Sequence, residues 1–108
     1  MDDTSREDTA QDDYPPVEIV KLEDQVVPDN SFDDAYAIYL RLSYEPPLAW
    51  QETFEALMEQ EVRHRITSFV GARLRVVISR RDNLEMVLRQ MNRLVRKANI
   101  QHDFLGEE

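Results

Sequence analysis

The chain has only two glycines in 108 residues, and one of them sits where it dictates strand pairing. Gly71-Ala72 separates Arg65-Ile66-Thr67-Ser68-Phe69-Val70 from Arg73-Leu74-Arg75-Val76-Val77-Ile78, two runs rich in β-branched residues. Glycine at the first central position of a two-residue loop is the signature of a type II′ hairpin turn. The register follows: Phe69 opposes Leu74, Thr67 opposes Val76 and Arg65 opposes Ile78. The other face carries Val70 with Arg73, Ser68 with Arg75 and Ile66 with Val77. The competing arrangement is one long strand bent at a glycine bulge. A one-residue slip in the hairpin would exchange the two faces.

The flanking segments have clear periods. Residues 36–44 alternate, with Tyr36, Ile38, Leu40, Leu42 and Tyr44 on one side and Ala37, Tyr39, Arg41 and Ser43 on the other, as in a half-buried strand. Glu45-Pro46-Pro47 ends that strand, because proline cannot donate to a ladder. Trp50, Phe54, Leu57 and Met58 then recur at helical spacing, which predicts an amphipathic helix over about 48–61. Leu84, Val87, Leu88, Met91, Leu94, Val95 and Ala98 form one apolar stripe and predict a second helix. Asp82 with Glu85 reads as the start of that helix, in an Asx version of the capping box. Asn99 reads as a left-handed stop, with residues 100–105 as a short final strand. Two helices with one apolar stripe each must cover one face of a sheet. The expected fold is α+β, a ferredoxin-like (split β-α-β) two-layer sandwich in the order β-α-β-β-α(-β).

Charge divides the chain. Residues 1–34 hold twelve acids against two bases, a net −10, whereas residues 62–97 carry a net +8. Beyond Met1, residues 1–13 have no apolar side chain larger than Ala10 and cannot offset the entropy of ordering. The expected organisation is an acidic, largely disordered arm over 1–34, a compact domain over 35–105 and a frayed 106–108. Within the arm, Tyr14-Pro15-Pro16 is extended. Residues 17–27 begin with an apolar run that fits a sheet edge, loose packing or a linear binding motif. The arm itself fits a solubilising tail, a screen lying over the basic half, or a docking peptide.

Several chemistries find no residues here. The absence of cysteine removes disulfides, thiolate metal sites and cysteine nucleophiles. The sequence holds no glycine-rich phosphate loop, nucleophile elbow, HExxH pair or EF-hand pattern. His64 lies between two arginines at a helix–strand junction, and His102-Asp103 lies near a chain end unsuited to tight catalytic geometry. No cofactor, metal or enzymatic activity is expected. No stretch approaches the roughly 18 apolar residues of a membrane span, and the acidic start is the opposite of a secretory signal. The expected setting is the cytoplasm.

With both helices on one face, the reverse of the sheet is left as the contact surface. Its expected residues are Tyr39, Arg41, Ile66, Val70, Arg73, Arg75 and Val77. Tyrosine and arginine suit interfaces because each joins a large contact area to hydrogen-bonding capacity. The function expected is a small non-enzymatic protein-interaction module, binding a protein partner or itself. The apolar residues of this face would supply contact, and the arginines would select an acidic partner. The alternative is a nucleic-acid-binding domain whose acidic arm competes with the ligand. Its basic residues include Arg80 and Arg81, but it has few outward aromatics for stacking bases.

Overall fold

The computed structural model describes residues 15–62 and 65–106. The elements run β1 (Ile19–Pro28), β2 (Ala35–Leu42), α1 (Leu48–Glu61), β3 (Ile66–Val70), β4 (Arg73–Ser79) and α2 (Leu84–Gly106). The strands form one four-stranded sheet in the order β1-β2-β4-β3, and every neighbouring pair is antiparallel. No described helix is long and apolar enough to cross a membrane.

The hairpin at Gly71 follows the expected register, with Phe69 opposite Leu74, Thr67 opposite Val76 and Ile66 opposite Val77. Gly71 has φ +62, and Ala72 stays out of the left-handed region, as a type II′ turn requires. Arg65 precedes β3, so its expected place opposite Ile78 is not taken up. β2 and β3 both run antiparallel to β4, from opposite sides, and are therefore parallel to each other. α1 joins them across β4, which makes β2-α1-β3 a split β-α-β unit.

The rest fits a ferredoxin-like plan only roughly. The edge position beside β2 belongs to β1, which precedes it in the chain. Residues 100–105 continue α2, and Asn99 is an interior helical residue rather than a stop. The element order is thus β-β-α-β-β-α. Residues 15–34, placed with the arm from sequence, hold a complete strand and the turn that follows it. Residues 1–14 and His64 lie outside the described residues.

α2 also starts differently from its local signal. Asn83 caps it, its side-chain oxygen accepting from Met86 N–H at 3.2 Å. Asp82, the expected cap, instead accepts from Ser79 N–H at 2.8 Å and pairs with Arg65 at 2.9 Å. These bonds hold the Asp82 carboxyl below its ordinary range, Arg65 contributing most.

The core lies between the sheet and both helices. Ile38, Leu40, Leu42, Leu74, Val76 and Ile78 from the sheet meet Trp50, Phe54, Leu57 and Met58 of α1 and Val87, Met91, Leu94, Val95 and Ala98 of α2. Trp50 stacks on Phe54, and both meet Phe69 of β3 edge-on. This aromatic cluster seats α1 over the β3 side of the sheet. Glu61, the last residue of α1, pairs with Arg93 at 2.8 Å and with Lys97, both in the middle of α2.

Candidate interaction surface

The second face of the sheet is built from cross-strand rows. Register places Val27, Ala37, Val77 and Ile66 in one row, Tyr39, Arg75 and Ser68 in the next, and Lys21, Arg41, Arg73 and Val70 in a third. All seven expected site residues lie on this face. They are not equally available.

Val77 is only 2% exposed and Ala37 is fully buried, so the centre of the apolar row offers no contact area. Tyr39 is half-buried, with the Arg73 guanidinium 4.3 Å from its ring centroid. Ile66 and Val70, on the edge strand β3, stay 43% and 46% exposed. The expectation of a bare face is therefore corrected: its β1 side is screened by the chain's own leading segment.

The physical cause is the irregularity of β1. Ile19 to Pro28 pairs with Leu42 to Tyr36, so ten residues of β1 lie opposite seven of β2. Register shifts fall between Ile19 and Lys21 and between Leu22 and Val26. Such bulges re-aim side chains and twist the strand. Glu23, in the longer irregular stretch, bonds two arginines of the second face: Arg41 Nε donates to its Oε2 at 3.0 Å and Arg73 Nε to its Oε1 at 3.2 Å. Gln25 accepts from Arg73 Nη2 at 3.4 Å. Past the strand end, Asp29 pairs with Arg75.

These contacts set the local electrostatics. Arg41 first, and then Arg73, hold the Glu23 carboxyl below its ordinary range. The Asp29 carboxyl is lowered to about 2, chiefly by hydrogen bonds from the Ser31 hydroxyl and N–H, with Arg75 adding to them. Asp29 and Tyr39 together raise Arg75. The three arginines expected to choose an acidic partner thus already hold acidic groups of their own chain.

Charge not used in this way lies around the β3 edge. A shallow groove of about 400 Å³ runs between α1 and β3, lined by Glu55, Met58, Glu59, Val62, Arg65, Ile66 and Thr67. Glu55 and Glu59 are exposed and make no ion pair among the described residues, whereas Arg65 is committed to Asp82. The sequence alone does not reveal this groove. Glu55 and Glu59, four apart on a helix face, signal only a solvated surface until β3 is set beside them.

His102 lies in α2 beside Pro15, Pro16, Tyr44, Pro47, Trp50 and Asn99, around a cleft of about 10 Å³, barely room for one water. Among the described residues no cluster of three or more histidine, aspartate or glutamate side chains could hold a metal. The chain matches no family model, no curated protein and no solved structure.

Proposed function

We propose that this chain is a small, non-enzymatic protein-interaction module that meets its partner along β3. The observation that carries the reading is the exposure of Ile66 and Val70 on one face of an edge strand, with Ser68 between them, while Ala37 and Val77 of that face are buried and Arg41, Arg73 and Arg75 are ion-paired. β3, Ile66-Thr67-Ser68-Phe69-Val70, carries no charge and no proline. Natural edge strands usually carry one or both to discourage pairing. The opposite edge is guarded in that way: β1 carries Lys21, Glu23, Asp24 and Pro28, and its register is broken twice. One edge of this sheet is blunted and the other is left open to a neighbour. We place the module in the cytoplasm on composition: a cysteine-free chain draws no stability from an oxidising compartment.

The test is the double variant Ile66→Glu/Val70→Glu, with Val20→Glu as a control at the other edge, where Val20 is 59% exposed. Tagged proteins are expressed in the native host, and the size of the complexes they form is measured by sedimentation. The double variant is expected to lose a complex that wild type and control retain, with its melting temperature unchanged. Equal sedimentation of all three proteins overturns the reading.

The nucleic-acid alternative draws on Arg80 and Arg81, which are exposed and make no ion pair among the described residues. It has less support than protein binding, because Arg41, Arg73 and Arg75 are held by Glu23 and Asp29.

A further inference from the structure

Resting on that reading, we infer that the groove between α1 and β3 takes an extended, basic segment of a partner protein, added to the sheet as a fifth strand. The first support is backbone geometry. In a two-residue hairpin the residues flanking the turn, Val70 and Arg73, form a hydrogen-bonded pair, and such pairs alternate along an antiparallel ladder. Ser68 with Arg75 and Ile66 with Val77 are then the other bonded pairs. The N–H and C=O groups of Thr67 and Phe69 point away from β4, toward the open edge. An incoming strand finds two donors and two acceptors there, spaced for β-augmentation.

The second support is charge. A strand seated on β3 alternates its side chains between the two faces. Those on the helix side enter the groove, where Met58 and Val62 offer apolar contact and Glu55 and Glu59 offer negative charge that no described residue neutralises. Lysine or arginine at those positions is complementary. Side chains of the other parity meet Ile66 and Val70, where branched apolar residues fit. The sign of the partner is thus opposite to the acidic one that the arginines of this face suggest.

The same charge argues against the chain filling its own groove. Residues 1–14 contain six acids and one base and are repelled by Glu55 and Glu59. A second copy pairing β3 with β3 would bring two such glutamate pairs toward each other across the two-fold axis. A basic segment from another protein meets neither obstacle.

The test uses the full chain and two capped eight-residue peptides, one alternating lysine with valine and one alternating glutamate with valine. Binding is read by amide chemical shifts and by hydrogen exchange. The lysine peptide is expected to shift β3 resonances and to slow exchange at the Thr67 and Phe69 amides. Glu55→Gln/Glu59→Gln should weaken it about two- to thirtyfold, the range that two exposed ion pairs supply. Thr67→Pro should abolish binding. It removes an outward N–H and no ladder bond, so its fold is checked by the remaining amide spectrum.

Comparable binding of the glutamate peptide, no loss in the glutamine variant, or shifts confined to other elements would overturn the inference. So would sedimentation showing that wild type, but not Thr67→Pro, self-associates, since a second copy would then hold the edge. If the peptide result fails while the native complex still depends on Ile66 and Val70, this inference alone falls. If both fail, the interaction reading falls with it.

Discussion

Asn99 clasps the backbone of Val17 from 82 residues away. Its side-chain oxygen accepts from Val17 N–H at 3.0 Å, and its amide nitrogen donates to Val17 C=O at 2.9 Å. The same oxygen accepts from the indole N–H of Trp50 at 2.9 Å. One side chain of α2 thereby ties α1 to the segment leading into β1. Val17 is 1% exposed and belongs to the core, so this bond fixes where the leading segment enters the fold. Around it, Tyr44 Oη donates to Pro15 C=O at 2.6 Å, and Glu18 and Ser43 exchange two further bonds.

Asn99→Leu should therefore act far beyond its own helix. It leaves the N–H groups of Trp50 and Val17 without an acceptor, and the expected loss is about 2–4 kcal/mol. Asn92→Ala removes an amide whose one bond among the described residues is to Leu88 C=O in the same helix, and should cost under about 0.5 kcal/mol. Urea denaturation measures both. Equal effects would deny the clasp any special role.

The ion pairs over the second face predict an acid-sensitive fold. Asp29 titrates at about 2 in the folded chain, against an ordinary value of 3.8, and Glu23 and Asp82 are also lowered. A lowered carboxyl contributes stability that is fully present above its unfolded pKa and is lost as pH falls through its folded one. The urea midpoint should hold level down to about pH 5 and decline below about pH 4. Asp29→Asn should start lower and decline less, so that the two curves converge toward about pH 2. Parallel curves would show that Asp29 does not set the acid limb.

Releasing the arginines tests what β1 screens. Glu23→Gln/Asp29→Asn leaves Arg41, Arg73 and Arg75 without their acidic partners. The variant should elute later than wild type from an immobilised polyanion column, with a steeper dependence on salt. Identical elution would mean that the screened arginines form no usable polyanion surface.

The hairpin turn gives the sharpest backbone prediction. Gly71 has φ +62, and an added Cβ would meet nothing within 4 Å. Gly71→Ala should therefore cost only the backbone strain of a Cβ-bearing residue at the first position of a type II′ turn, about 1–3 kcal/mol. A larger loss in chemical denaturation would point to a role for Gly71 beyond the turn.

Much of this molecule is legible in local signals along the chain. Gly71-Ala72 sets the β3–β4 register because a two-residue turn admits only one pairing. The span of α1 and the buried stripe of α2 follow from helical periodicity. The same register places all seven expected site residues on one face. Expectation and fold part where a local signal has two physical uses. Asp82 and Asn83 both suit a helix start, and the choice falls to Arg65, which claims Asp82 from across the fold. Asn99 suits a helix end, yet its amide is spent on Val17 and Trp50 while α2 runs on to Gly106.

The sequence by itself determined the two layers, the hairpin and the helix faces, because these depend on turn chemistry and on the period of apolar residues along a few neighbouring positions. Tertiary structure alone decided that residues 19–28 would become the outer strand, since bulges erase the two-residue period by which a strand is read. It also decided which charges would be consumed within the fold. Glu23 and Arg73 lie 50 residues apart, and no pattern along the chain records that they meet.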